Sequence, residues 1–314
     1  MTSKAKVLLV NEFHGETIAE LDRMYDTLKL WEVPASEKEQ FISSIDGEIE
    51  AAASASWICD PRIYDINSLE LIACFGVGVD GIDFGACSRN NIRVSNTPGV
   101  LDDAVADLAM ALILVLTRDI CNADAFCRDR QWQDGPFALG TGIQGKTIGI
   151  LGMGRIGKAT AARIEAFGAK ISYHNRRRTD VEYDYYDSIE SLAKASDILV
   201  NLLPGGEDTR SIVDSTIFDA LGPESYFVNV GRGSSVNEGD MISALREGRI
   251  AGAGLDVYSN EPYIPEELLR MRNVLLLPHI GSATTETRRA MGQLVCKNLA
   301  EYFKNNSLIT EYFY

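Results

Sequence analysis

The chain has 314 residues, 46% hydrophobic and 24% charged, an ordinary globular composition that excludes a disordered or fibrous protein. Its formal net charge of -15 repels polyanions, so nucleic acid and anionic membrane surfaces are not expected partners, and a small anionic substrate has to meet local cations. The most apolar stretch, residues 101–117, is interrupted by Asp102, Asp103 and Asp107 and falls short of the roughly 18 uninterrupted apolar residues of a membrane span.

Residues 1–10 carry two lysines and a short apolar run, without the apolar core and cleavage site of a secretory signal, so a cytoplasmic location is expected. Cys59, Cys74, Cys87, Cys121, Cys127 and Cys296 form no CxxC pair and have no histidine at ligand spacing. They are expected to be buried thiols in a reducing compartment, and no metal site is expected.

Short β-type runs then alternate with helical segments. Residues 7–10, 57–59, 71–75 and 92–94 are predicted as buried parallel strands. The turn-forming Asn96-Thr97-Pro98-Gly99 follows, then a helix through Leu116. A second series of strands is predicted at 147–151, 170–174, 198–202, 226–229, 254–257 and 274–277, separated by helices such as 156–167 and 238–247. A final helix over 285–304 carries the chain back onto the first series. The predicted class is therefore α/β with two doubly wound parallel-sheet domains, a Rossmann domain over 99–285 inserted into a discontinuous domain of 1–98 plus 286–314.

The strand at 147–151 runs directly into Gly152-Met153-Gly154-Arg155-Ile156-Gly157, which opens a helix. Gly152 is expected to make the tight turn, Gly154 to let the backbone approach a pyrophosphate, and Gly157 to let helix and strand pack closely. The pyrophosphate then meets the helix N-terminus, where free amides and the helix dipole favour anions. NAD-preferring units carry an acidic residue about 20 positions on. Here the second strand ends in Asn175-Arg176-Arg177-Arg178, with no carboxylate to repel a 2'-phosphate and arginines to bind one. The pattern predicts NADP(H) in preference to NAD(H).

Three later strand-end loops bring one Arg, one Glu and one His: Arg232, Glu261 and His279. Hydride transfer to a 2-keto acid needs a proton for the carbonyl oxygen, and histidine exchanges protons near neutral pH. Glu261 is its expected partner, and Arg232 is expected to clamp the substrate carboxylate and polarise the keto oxygen.

With these motifs in hand, the chain resembles the D-isomer-specific 2-hydroxyacid dehydrogenase family, within it the glyoxylate/hydroxypyruvate and hydroxyphenylpyruvate reductases. The resemblance runs over nearly the whole length, through Val77-Gly78-Val79-Asp80, Asn96-Thr97-Pro98-Gly99-Val100-Leu101, the glycine loop, Val230-Gly231-Arg232-Gly233, Asp256-Val257, Glu261-Pro262 and Pro278-His279-Ile280-Gly281-Ser282. It implies Arg232, Glu261 and His279 as catalytic triad, and a flavodoxin-like substrate-binding role for the discontinuous domain. Val77 and Gly78 are implied as backbone donors to the substrate carboxylate. Asp256 and the Val230 backbone are implied to hold the nicotinamide carboxamide, with Leu203 and Pro204 beside the cofactor; Gly281 and Ser282 complete the expected cofactor site. Asn175 departs from the acidic residue of NAD-specific members. The resemblance also implies a homodimer, in which an aromatic such as Trp132 can reach the neighbouring active site, although packing is the plainer role for that side chain.

The reading is thus reduction of a 2-keto acid, glyoxylate, hydroxypyruvate or an aryl pyruvate, to a D-2-hydroxy acid. A corepressor-like nucleotide sensor shares this fold but carries extra interaction segments. A formate- or phosphite-type dehydrogenase is the other alternative; formate enzymes pair the histidine with glutamine, where this chain has Glu261.

Overall fold

The computed structural model describes residues 4–55 and 58–314, which divide into two compact units. The first comprises the described residues of Met1–Leu101 with Thr284–Tyr314, and the second is Asp102–Ala283.

The first unit is built on strands β1 (Lys6–Leu9), β2 (Asp26–Lys29), β3 (Ala51–Ala55), β4 (Leu71–Phe75) and β5 (Arg93–Ser95). They are parallel in the order β5-β4-β3-β1-β2, the flavodoxin-like order, and the short strand Glu311–Tyr312 pairs antiparallel with the outer edge of β5. One face buries Leu8, Ile72 and Val94 against Leu30, Ile42, Ile45 and Ile63. Elsewhere in the unit helix Gly15–Met24 packs on helix Thr285–Asn305, which in turn meets β4. The two helices approach so closely that a Cβ at Gly292 would lie 1.9 Å from the Thr17 hydroxyl. Glycine is what permits that crossing.

Among the described residues of the strand predicted at 57–59 none is in a strand. Trp57 lies outside the described residues, Ile58 and Cys59 are irregular, and the strand is Ala51–Ala55, all five residues buried. Alanine and serine carry no β signal of their own, whereas the more apolar run after them does. The short edge strands β2 and Glu311–Tyr312 were also not predicted.

The second unit holds β6 (Thr147–Leu151), β7 (Lys170–His174), β8 (Asp184–Tyr185), β9 (Ile198–Asn201), β10 (Tyr226–Asn229), β11 (Gly252–Leu255) and β12 (Val274–Leu276). All pair in parallel, in the order β12-β11-β10-β9-β6-β7-β8. With β6 counted first this is the Rossmann order 3-2-1-4-5-6, in which the two-residue β8 is the third strand and β12 is added at the opposite edge. Strand β11 sits two residues earlier than the predicted 254–257, so Asp256 and Val257 belong to the loop after it. The direction of winding reverses between β6 and β9, and ligands of such sheets bind outside the carboxyl ends at that point. The core around Leu151, Leu199, Phe218, Phe227 and Leu255 holds these strand ends in place.

Candidate active site

The glycine loop follows β6 at the reversal. Gly152 has φ +106, a backbone conformation that residues with a Cβ rarely adopt, and a Cβ there would press on the Leu202 carbonyl at 3.1 Å. A Cβ at Gly157 would stand 2.3 Å from the Gly152 oxygen, so the helix Arg155–Ala166 starts hard against the turn. At Gly154, by contrast, a Cβ meets no protein atom within 4 Å. The loop therefore leaves a cradle at Gly154, in front of the first helical N–H groups of Arg155, Ile156 and Gly157, and these residues fit a dinucleotide pyrophosphate. The Arg155 side chain itself turns to Asp102, 3.3 Å away.

Asn175 follows β7, and its Oδ1 accepts the Met153 N–H at 2.6 Å, so it braces the glycine loop from the position where an acidic residue would face a ribose. Arg176 pairs with Asp208 at 3.4 Å, but the two side chains are 88% and 81% exposed, and so open a pair binds weakly. Arg177 is exposed as well. Leu203 and Pro204 stand just past β9, Leu203 fixed by its N–H to Asn201 Oδ1 and Pro204 accepting from the Thr209 hydroxyl.

Beyond β10, β11 and β12 the three expected catalytic residues belong to one connected constellation. His279 Nδ1 and Glu261 Oε2 are 2.7 Å apart, and the other Glu261 oxygen accepts the Tyr258 N–H at 3.0 Å. Burial pushes the Glu261 carboxyl up, but the His279 hydrogen bond and charge, the Tyr258 N–H and the Arg232 charge together hold it below the usual carboxylate range. The Arg232 charge is felt at Glu261, and Gly233 beside it lets this loop press against the backbone of Tyr258, where a Cβ would overlap at 1.9 Å. With Nδ1 committed to Glu261, Nε2 is the ring nitrogen left to face a ligand.

Asp256 has a role the sequence did not disclose. Its buried carboxylate accepts the N–H groups of Ile280 at 2.7 Å and Gly281 at 2.8 Å, and its carbonyl accepts the His279 N–H at 2.9 Å. Burial raises the carboxyl from its ordinary value against the pull of those two N–H groups. The loop so held puts His279 at φ +53, a left-handed conformation that costs a non-glycine residue about 1–2 kcal/mol and persists only where its surroundings impose it. A Cβ on Gly281 would lie 3.2 Å from Asp256 Oδ2. Gly281 thus works here by letting its N–H close on the carboxylate, and Ser282, half-buried, follows it.

Sequence reasoning also missed a buried amide network under the Val230–Arg232 turn. Asn201 Nδ2 donates to Asn229 Oδ1 at 3.0 Å and to Ser235 Oγ at 2.7 Å, while Asn229 Oδ1 accepts the Gly231 N–H and Ser235 Oγ donates to the Arg232 carbonyl. Val230 is tied to β9 through its N–H and the Asn201 carbonyl. The available signal was an asparagine ending each of two apolar strands, which reads equally as a turn former.

Val77 and Gly78 belong to the first unit, in the loop after β4, both half-buried. The Val77 carbonyl accepts from Asn96 Nδ2 at 2.8 Å. Trp132 is 71% exposed in a short 3-10 turn.

A Rossmann sheet with a pyrophosphate cradle at its reversal and an Arg, Glu and His on successive strand ends defines a dinucleotide-dependent oxidoreductase. Residues 110–281 match the NAD binding domain of the D-isomer specific 2-hydroxyacid dehydrogenases, and the chain belongs to that family. It is 46% identical over 294 residues to a glyoxylate/hydroxypyruvate reductase A of Arabidopsis thaliana, with 93% of each chain covered. It is 43% identical over 297 residues, again with 93% of each covered, to a hydroxyphenylpyruvate reductase of Plectranthus scutellarioides. Among solved structures it is similar to an NADPH-dependent glyoxylate/hydroxypyruvate reductase from Sinorhizobium meliloti in complex with NADP and malonate, at 37% identity and a TM-score of 0.90 over 99% of this chain and 97% of that one. No helix among the described residues is long and apolar enough to cross a membrane.

Proposed function

We propose that this chain reduces a small 2-keto acid to the D-2-hydroxy acid with NADPH, as a cytoplasmic homodimer whose discontinuous unit holds the substrate and whose inserted unit holds the cofactor. The carrying observation is the His279–Glu261 pair at 2.7 Å with Arg232 beside it, in a chain of this family. Bound nicotinamide supplies the hydride. Protonated His279 gives its Nε2 proton to the carbonyl oxygen, and Glu261 holds the ring and its charge through Nδ1. Arg232 binds the substrate carboxylate and polarises the keto oxygen. The Val77 and Gly78 N–H groups are the expected backbone donors to a substrate carboxylate. Asp256 and the Val230 backbone hold the carboxamide, with Leu203, Pro204 and Ser282 alongside.

The preference for NADPH rests on Asn175. Its amide oxygen is engaged by the glycine loop, it brings no negative charge, and Arg176 and Arg177 stand exposed next to it. Initial-rate reduction of glyoxylate, hydroxypyruvate, pyruvate and phenylpyruvate with NADPH and with NADH tests the whole reading. The expected result is turnover of at least one of these acids with the higher kcat/KM for NADPH, and a drop in kcat of about 10²–10⁴-fold in His279→Ala. Equal kcat/KM with both cofactors overturns the preference. Near-native turnover in His279→Ala removes the proton-donor role.

A further inference from the structure

Two hydrogen bonds in the first unit hold two successive peptide groups. The Gly76 carbonyl accepts the Thr97 N–H at 2.9 Å, and the next carbonyl, that of Val77, accepts from Asn96 Nδ2 at 2.8 Å. In a trans peptide the carbonyl and the following N–H point in opposite directions. Pinning the Gly76 carbonyl therefore aims the Val77 N–H away from Thr97, and pinning the Val77 carbonyl aims the Gly78 N–H away from Asn96.

Asn96 is itself held from the far end of the chain. The Thr310 hydroxyl donates to the Asn96 carbonyl at 2.6 Å, and the Asn96 N–H reaches the Thr310 carbonyl at 3.3 Å. Thr310 is fixed in turn by Asn298, on the helix Thr285–Asn305. The Asn298 Oδ1 accepts the N–H groups of Ile309 and Thr310, each at 3.0 Å, and its Nδ2 donates to the Thr310 hydroxyl at 2.8 Å. Asn298 is 1% exposed and Asn96 7%, so these bonds are shielded from competing water. This chain of two amides and one hydroxyl links the helix Thr285–Asn305 to the half-buried loop at Val77 and Gly78.

We propose that Asn96, with Thr310 behind it, is a positioning residue for substrate: it sets the directions of the Val77 and Gly78 N–H groups so that both meet one carboxylate. This rests on the reading that those two N–H groups bind the substrate carboxylate. Asn96→Asp keeps the shape and loses the N–H donor, leaving an oxygen facing the Val77 carbonyl. Thr310→Val keeps the shape and loses the hydroxyl, and Thr310→Ser restores it.

The test is steady-state kinetics with the best keto acid and with its methyl ester, alongside cofactor titration and melting temperature. Asn96→Asp is expected to raise KM for the acid by about ten- to hundredfold, with a much smaller change in kcat and unchanged cofactor affinity. Thr310→Val should move KM the same way by less, Thr310→Ser should return it to near the wild-type value, and the ester, a poor substrate throughout, should be little affected. If Asn96→Asp fails to fold, the Thr310 pair decides alone. Wild-type KM in folded Asn96→Asp or in Thr310→Val overturns the positioning role while leaving the carboxylate reading intact. Equal use of acid and ester by the wild type overturns both.

Discussion

Gly154 and Gly157 stand three residues apart, and the structure assigns them opposite consequences. A methyl at Gly157 would lie 2.3 Å from the Gly152 oxygen, where ordinary contact begins at 3.4 Å, so the helix Arg155–Ala166 has to retreat by about 1 Å. Its buried face, Thr160, Ala161 and Ile164, resists that movement. Overpacking of this kind costs ~1–3 kcal/mol, offset by up to ~1 kcal/mol from the better helix propensity of alanine. The net loss of ~1–2 kcal/mol corresponds to roughly 2–8 °C in Tm for a unit of this size. A retreat of that size also misplaces the N–H groups facing the pyrophosphate, which should weaken cofactor binding by up to about a hundredfold. Gly154→Ala meets no protein atom. Its Tm should stay within about 2 °C of wild type, because a poorer N-cap and a stiffer unfolded chain offset each other. Its cofactor affinity should still fall by about tenfold or more, since the new methyl occupies the approach of the phosphates. The assay is calorimetry without cofactor and fluorescence titration with NADPH. A Gly157→Ala protein with wild-type Tm and affinity, or a Gly154→Ala protein that loses stability and keeps its affinity, would refute the reasoning.

Three more outcomes follow from the same geometry. The Glu261 carboxyl is held below its ordinary value of 4.5, so the stability it contributes is present above that pH and lost as pH falls through the lowered folded value. The Tm gap between wild type and Glu261→Gln should therefore be widest near neutrality and close below pH 4.5; a gap that does not change with pH counts against the pairing. Asn175→Asp keeps the acceptor for Met153 and adds a charge, and should move the NADPH-to-NADH ratio of kcat/KM toward NADH by about tenfold or more. An unchanged ratio would show that this position does not read the cofactor. Gly292→Ala sets a methyl against Thr17 and should cost ~1–3 kcal/mol, part of it recovered in Thr17→Ala/Gly292→Ala. Thermal melts of the single and double variants check this, and additive losses would mean that the contact is not the cause.

The Rossmann strands were legible because a strand buried on both faces is a run of Ile, Leu and Val, as at Thr147–Leu151 and Ile198–Asn201. Ala51–Ala55 escaped because small residues fill the centre of a sheet without announcing it, and Glu311–Tyr312 because two residues carry no period. Arg232, Glu261 and His279 were legible as charged or titratable groups on loops where the periodic pattern stops. Asn201 and Asn229 were passed over, and the backbone contacts of Asp256 were not foreseen, for a shared reason. Each works through hydrogen bonds to groups far off in sequence, Asn201 and Asn229 to one another and Asp256 to the Ile280 and Gly281 N–H groups, and a single chain read in order does not display its own return contacts. His279 is the sharpest case: the sequence supplies the imidazole, while its left-handed backbone is imposed by Asp256, 23 positions earlier.

The insertion of one unit into the other orders the protein in time. Every residue of Asp102–Ala283 leaves the ribosome as an uninterrupted segment and can close its own sheet as it emerges. The outer unit cannot, because the helix Thr285–Asn305 that packs on β4 and the strand that covers β5 are translated only after the inserted unit. Until then its nascent half presents a sheet with one face and one edge open, so the outer unit closes only once the inserted one has been made.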